Sequence, residues 1–293
     1  MTVKNWRAHR TENIQYITPD GKKIELHDPP TRSVVSMTGW GHPSIEVGTS
    51  RGPYQDGDSI NVMRLAPRRI DLVIRLIGYS RSDFWKNRQT LLEALRVNRS
   101  NMNLPQEGTL VWIRADGTKR AVACLLDSSM PLSPIAGSFS VQEAITFIAH
   151  NPYIFEPVDN EVTITGFHVT NPKSTTISYQ GTAGSFPVIE ITGPCDSITV
   201  KNTSTNKSII LEYAVSAGET VTIELTYDRK SIYNSSGDNL LGYLDISSSA
   251  LFEFSIQPNP ITTNGSNTLE FDLPGAAGDT EVKITYRNWY IGI

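Results

Sequence analysis

The 293-residue sequence predicts a mainly β protein in two domains, 1–158 and 159–293. Three observations carry that expectation. Apolar residues alternate at period two along most of the chain, as in half-buried strands. Only one stretch, 82–97, has helical spacing. At Asn151-Pro-Tyr-Ile-Phe-Glu-Pro-Val158 two prolines disfavour continuous regular structure, and beyond them charged residues thin out while Ser, Thr and Asn increase.

The elements follow in order. Asn13–Ile17 and Lys22–Leu26 flank Thr18-Pro-Asp-Gly21 and read as a hairpin, because Pro19 presets φ and Gly21 supplies a positive one. Arg69–Gly78 places Ile70, Leu72, Ile74 and Leu76 on one face of a long strand. Ser82 is the expected N-cap of the helix, with Asp83 in its first turn and Phe84, Leu91, Leu92 and Leu95 forming its core face. Pro105 forbids its continuation. Leu110–Arg114 and Lys119–Leu126 form a second hairpin around Asp116-Gly117. Ser138–Ala149 is a further strand. Between Ser36 and Ala66 five glycines and two prolines interrupt the pattern, and Ser44–Val47 can pair only locally. That stretch reads as an arm or extended hairpin leaving the core.

The second domain reads as eight short strands: 161–169, 185–193, 197–202, 208–215, 219–227, 250–256, 268–273 and 281–286. Eight strands without a helix predict a β-sandwich or jelly roll. Ile189, Ile191, Ile209, Leu211, Ile223, Leu225, Phe252, Phe254, Phe271 and Ile284 are its expected core.

Composition narrows the function. With 39% hydrophobic and 19% charged residues the chain is globular. No stretch reaches the ~20 apolar residues that span a bilayer, so no membrane insertion is expected. Met1–Trp6 is not followed by an apolar segment, so no signal peptide and synthesis in a cytoplasm are expected. Cys124 and Cys195 fall in different domains and read as free buried thiols. Residues 1–157 hold 19 Lys/Arg against 15 Asp/Glu, and residues 158–293 hold 7 against 15. An acidic total without a basic run excludes a dedicated nucleic-acid binder.

No catalytic constellation emerges. His9, His27, His42, His150 and His168 are scattered without metal-ligand spacing. Neither a Gly-x-Ser-x-Gly elbow nor a phosphate loop occurs. Asp56, Asp58 and Asp71 can pair in space, but acids in an irregular stretch are more often turn formers. The Asn-x-Ser/Thr triplets at Asn98, Asn202, Asn206, Asn234 and Asn264 are chance products of a Ser/Asn-rich chain. No enzyme activity, cofactor or metal is expected. Tyr286, Trp289 and Tyr290 are the candidate glycan-binding residues, since rings stack on sugar faces, although a terminal aromatic cluster more often ties the last strand to the core. Tyr179, Tyr213, Tyr227, Tyr233 and Tyr243 lie elsewhere in the sandwich.

Two stretches resemble a known family. Arg64-Leu-Ala-Pro-Arg-Arg-Ile-Asp-Leu-Val-Ile-Arg-Leu-Ile-Gly78, the helix carrying Arg88, Leu91, Leu92 and Leu95, and Gly108-Thr-Leu110 are similar to the N-terminal domain of the distal tail (Dit) proteins of long-tailed phages. Gly181-Thr-Ala-Gly-Ser-Phe-Pro-Val-Ile-Glu-Ile-Thr-Gly193, Ala217-Gly-Glu219, Phe252-Glu-Phe254, Pro258 and Asn267 resemble the C-terminal domain of siphovirus-type tail components. Together they cover about two thirds of the chain; residues 36–66 match poorly.

The resemblance implies a ring-forming, split-barrel-like N-terminal domain and a galectin-like or jelly-roll-like C-terminal sandwich. It implies a homohexameric ring at the tail tip or baseplate of the virion, between the tail tube protein and the tail-associated hub protein. DNA would meet the ring only in passage. The outer sandwich would carry a receptor-binding protein or touch a host surface glycan. The alternative is a carbohydrate-binding adhesin or tail-fibre module acting through that sandwich. A glycan-cleaving tail enzyme would need a carboxylate pair in a cleft.

Overall fold

The computed structural model describes residues 12–96, 106–129, 138–227 and 229–293. It divides into two compact units, Met1–Phe155 with Ile291–Ile293, and Glu156–Tyr290. The fold is mainly β, with one α-helix among the described residues and several antiparallel sheets.

The first unit is built on strands β1 (Asn13–Ile17), β2 (Lys23–Glu25), β3 (Arg32–Thr38), β4 (Ile45–Ser50), β5 (Ser59–Leu65), β6 (Arg68–Ile77), β7 (Gly108–Ile113), β8 (Lys119–Leu126), β9 (Ser140–Ala149) and β10 (Ile154–Phe155), with helix α1 (Arg81–Ala94). Its main sheet runs β2-β1-β7-β8-β9-β6-β3, and β10 pairs with β8. Both expected hairpins form. Gly21 and Gly117 take the positive φ that their turns demand. Ile70, Leu72, Ile74 and Leu76 are all fully buried on one face of β6. Residues 45–65 form the two-stranded hairpin β4–β5, and β3, whose last three residues Ser36–Thr38 fall within the stretch read as irregular, pairs with β6.

The helix is capped two residues earlier than its sequence signal. Ser80, not Ser82, is the N-cap: its side chain accepts from the Asp83 N–H at 3.1 Å. Both serines satisfy the local preference. The β6–α1 junction decides between them, because Gly78 packs so close to the helix that a Cβ there would lie 2.4 Å from the Phe84 nitrogen. Asn87 Nδ2 also donates to the Ile77 carbonyl at 3.0 Å. The core face is Phe84, Leu91, Ala94 and Leu95. Leu92, expected in the core, is only half-buried, because it lies about 100° around the helix from Leu91. The expected helical end at Val97, and Asn98 to Pro105, lie outside the described residues. Gly108 has its own reason: the Tyr16 ring covers it, with Oη 2.2 Å from where a Cβ would sit.

The second unit is a sandwich. Its strands are β11 (Asn160–Thr165), β12 (Lys173–Ser178), β13 (Val188–Thr192), β14 (Ile198–Asn202), β15 (Lys207–Leu211), β16 (Thr220–Glu224), β17 (Ser231–Asn234), β18 (Ser266–Asp272), β19 (Glu281–Tyr286) and β20 (Trp289–Tyr290). One sheet runs β11-β19-β13-β16-β17 and the other β12-β18-β14-β15. Inward residues of both sheets, Ile189, Ile191, Ile209, Leu211, Ile223, Phe254, Phe271 and Ile284 among them, make one continuous core.

Three sequence expectations are corrected here. Residues 250–256 are not a strand but a set of turns: Glu253 and Phe254 both donate to the Ala250 carbonyl, at 3.0 and 2.8 Å. The turn separates residues that a strand would put on one face, so Phe254 is buried while Phe252 is 76% exposed. In place of a ladder, buried asparagines hold the segment. Asn202 Nδ2 donates to the Ser255 carbonyl at 3.0 Å, and Asn267 Nδ2 to the Gln257 carbonyl at 2.8 Å. Strands β12 and β17, in turn, were not expected, because Ser/Thr-rich Lys173–Ser178 and the short Ser231–Asn234 carry too few apolar residues to show alternation.

Two substitutions separate core from margin on the helix. Leu91→Asp should cost on the order of 4 kcal/mol or more, the penalty of an unpaired carboxylate in a packed interior. Leu92→Asp should cost about 1 kcal/mol. Urea denaturation of both variants checks the ranking; equal costs would contradict this helix phase.

Candidate assembly surface

The β4–β5 hairpin has a simple local logic. Opposed residues share a face, so Ile45 with Leu65, Val47 with Met63, and Thr49 with Ile60 lie on one side. Glu46 with Arg64, Gly48 with Val62, and Ser50 with Ser59 lie on the other. The ladder shifts register between Gly48 and Thr49, which leaves Asn61 unpaired in the ladder, and Ser50 Oγ donates to Asn61 Oδ1 at 3.2 Å. Gln55 ties the tip: its Oε1 accepts from the Gly52 N–H at 2.9 Å and its Nε2 donates to Ser59 Oγ at 2.8 Å.

The apolar side of this hairpin is open to solvent among the described residues. Ile60 is 66% and Met63 61% exposed, and Ile45 and Val47 are about half exposed. Glu46 and Arg64, 3.9 Å apart, form a solvated pair on the polar side. Neither strand hydrogen-bonds to any other sheet of the described residues. A lone two-stranded hairpin is marginal in water, and a contiguous exposed apolar face marks an interaction surface.

Both roots of the hairpin are held by Arg68, the first residue of β6. Its side chain is 1% exposed. Nε donates to the Pro152 carbonyl at 2.7 Å, Nη1 to Gly39 and Gly41 at 2.7 and 2.6 Å, and Nη2 to Ile291 at 2.5 Å. No ion pair to a carboxylate is formed among the described residues, and burial pushes the guanidinium down to about 10, which leaves it charged at neutral pH. Beside it, buried Trp40 meets Trp112 edge-on at 5.4 Å, and the Trp40 carbonyl accepts from the Ile293 N–H at 3.0 Å. Sequence reasoning passed over Arg68 except as part of a motif. The signal was there: two residues before Ile70, Arg68 has the same phase as the buried row of β6.

The other expected site residues stay apart. His27 Nδ1 accepts from the Val34 N–H at 3.2 Å, His42 Nδ1 lies 2.7 Å from the Pro43 carbonyl, and His150 and His168 are exposed. His9 lies outside the described residues. Asp71 accepts from Thr146 Oγ1 at 2.6 Å and pairs with Arg69, while Asp56 and Asp58 sit near the hairpin tip. No group of three or more His, Cys, Asp or Glu among the described residues can hold a metal ion. On the outer face of α1, half-exposed Trp85 carries Arg88 stacked 5.3 Å from its ring centre. Arg96 is exposed.

Of the three glycan candidates, Tyr290 is buried, with its hydroxyl donating to Glu156 Oε1 at 2.7 Å. Tyr286 and Trp289 are half-buried. Tyr286 packs 6.4 Å from the Tyr179 ring, whose hydroxyl accepts from the Trp289 N–H at 2.9 Å. The Trp289 carbonyl accepts from the Thr182 and Ala183 N–H groups.

Comparison with known proteins follows this geometry. Residues 180–290 match the family model of the siphovirus-type tail component, C-terminal domain. The chain carries a siphovirus-type tail-component domain. Among solved structures, the Dit protein of phage SPP1, described as a paradigm of the hub adsorption apparatus in phages infecting Gram-positive hosts, is 16% identical, with a TM-score of 0.68. The match covers 95% of this chain and 98% of that one, so the chain has a Dit-like fold. A chain of the phage P2 baseplate in its calcium-activated conformation is 10% identical, at a TM-score of 0.48 over 94% of this chain and 97% of that one. No curated protein matches the chain in sequence.

Two outcomes test this geometry. Arg68→Met leaves four carbonyls without their donor and should cost on the order of 3–5 kcal/mol in urea denaturation. Arg68→Lys should recover only part, because one ammonium has three donors and no planar fork. Separately, burial raises the Cys124 thiol to about 12 and the Cys195 thiol to about 11. A thiol reagent at neutral pH should therefore leave both unlabelled in the native tail component and label both after denaturation.

Proposed function

We propose that this tail component is a distal tail protein that closes into a homohexameric ring at the tail tip, through the first unit. The ring joins the tail tube protein to the tail-associated hub protein, and the second unit carries a receptor-binding protein or meets the host surface. The observation that carries this reading is the exposed apolar face of β4–β5. A heterologous contact, in which one surface meets a different surface on the next copy, is the kind that closes a ring. The apolar row Ile45, Val47, Ile60 and Met63 suits the inner part of such a contact, and Glu46 and Arg64 suit its rim.

Charge supports passage of DNA through the ring without retention. Residues 1–157 carry both signs in near balance, and no basic run offers a row of phosphate contacts. Among the described residues no helix is long and apolar enough to cross a membrane.

Light scattering on the full chain, alone and with tail tube protein, tests the ring. The unmodified protein should form a multimer in at least one condition. Ile60→Asp combined with Met63→Asp should reduce it to a monomer with an unchanged melting temperature, since both positions are solvent-facing in the single chain. An unmodified chain that stays monomeric with its tube partner, or a double variant that still assembles, would refute the proposal.

A further inference from the structure

The second unit holds a groove of about 320 Å³ at the free side of β15. Its floor follows from backbone pairing. Leu244 bridges Leu211, the Glu212 N–H donates to the Tyr243 carbonyl at 2.9 Å, and the Asp245 N–H donates to the Ile210 carbonyl at 3.0 Å. The short 3-10 turn Leu241–Tyr243 thus ends against the edge of β15, joined to it by the single bridge at Leu244. Glu212, Tyr243 and Asp245 line the groove, together with Gly242, Leu244 and Ile246. Tyr243 and Asp245 are two residues apart, about 7 Å across the extended Leu244, a spacing matched to one sugar ring.

The groove is held in shape before any ligand arrives. Tyr243 is 51% exposed, and its ring rests edge-on against Tyr213 at 5.1 Å. The Tyr213 hydroxyl donates to Glu219 Oε1 at 2.7 Å. Glu219 is fixed in turn by the Ser216 N–H at 2.9 Å and Asn234 Nδ2 at 3.1 Å, bonds that hold its carboxyl below the usual range. Asp245 is oriented through one oxygen only: Oδ1 accepts from the Ser247 N–H and hydroxyl at 3.0 and 2.6 Å, which leaves Oδ2 facing out. The Glu212 carboxylate is exposed and forms no ion pair among the described residues. Ile246, 82% exposed, adds an apolar wall.

The geometry points to a glycan subsite in this groove: one hexose stacks a C–H face on Tyr243 while Glu212 and Asp245 accept hydrogen bonds from its hydroxyls. A fixed ring with two flanking acceptors is the arrangement that recognises a pyranose, apolar on its face and polar at its rim. The sugar is neutral. The groove lining has no basic side chain, and residues 158–293 hold 7 Lys/Arg against 15 Asp/Glu, which repels phosphate- and uronate-bearing polymers. The site is distinct from the Tyr286, Trp289 and Tyr290 cluster, and it does not depend on ring assembly.

Saturation-transfer NMR and calorimetry on the full chain decide it, with methyl glucoside, methyl galactoside, rhamnose, N-acetylglucosamine and glucosamine as probes. At least one neutral sugar should receive saturation. Tyr243→Ala should weaken it ~10-fold or more at an unchanged melting temperature, the contribution of one aromatic stack. Glu212→Gln, at an exposed position, should weaken it with no effect on folding, and Trp289→Ala should leave it intact. The inference is overturned by no binding across the panel, by binding that survives Tyr243→Ala and Glu212→Gln, by loss on Trp289→Ala alone, or by salt-sensitive binding of glucosamine only. A chain that fails to bind sugar yet assembles normally would leave the ring proposal standing.

Discussion

Enclosing the Arg68 guanidinium among main-chain carbonyls is the interaction on which the first unit's geometry depends. Burying a charge without a counter-ion is costly, and only charge-assisted hydrogen bonds of good geometry offset it. Here four carbonyls from Gly39, Gly41, Pro152 and Ile291 supply them. They come from three segments far apart in sequence, so a single side chain fixes the loop before β4, the segment before β10 and the last residues of the chain. Arg68 itself follows β5. The hairpin thus enters and leaves the unit at points held by the same cation.

That anchorage gives the hairpin its meaning. An apolar two-stranded ribbon free at its root would collapse onto the nearest surface or fray. Held at both roots, it keeps Ile45, Val47, Ile60 and Met63 open to solvent. A chain that assembles must stay soluble by itself and still carry enough apolar surface for its partners. Confining that surface to one face of one ribbon, with Glu46 and Arg64 on the reverse, meets both demands.

The second unit solves a different problem, how to close a sandwich where strand pairing stops. Around residues 250–258 the backbone turns instead of pairing, and the Asn202 and Asn267 amides take over its hydrogen bonds. All of these polar groups are buried and bonded, so the substitution costs little. On the outer side of β15, a similar departure from regular pairing places Tyr243, Glu212 and Asp245 in one groove. In both cases irregular backbone creates the place where side chains acquire a specific task.

The sequence by itself determined the β character, both turn-defined hairpins, the buried row of β6, the helix and most of the sandwich core, because each rests on local periodicity or on turn chemistry. It also carried the tail-component resemblance, through Pro187, Ile189, Ile191, Gly193 and the Ala217-Gly-Glu219 turn. Where short range gave equal choices, tertiary contacts decided. Ser80 and Ser82 are equivalent caps until Gly78 docks against Phe84. Phe252 and Phe254 look like one face until a turn separates them. Leu91 and Leu92 differ only in which of them meets the sheet. Arg68 alternates in phase with aliphatic residues, but its carbonyl partners lie up to 223 residues away, and only the folded chain brings them together. The Tyr243 groove has the same origin: Glu212 and Asp245 are 33 positions apart in the sequence, and they become neighbours when Leu244 bridges Leu211 at the edge of β15.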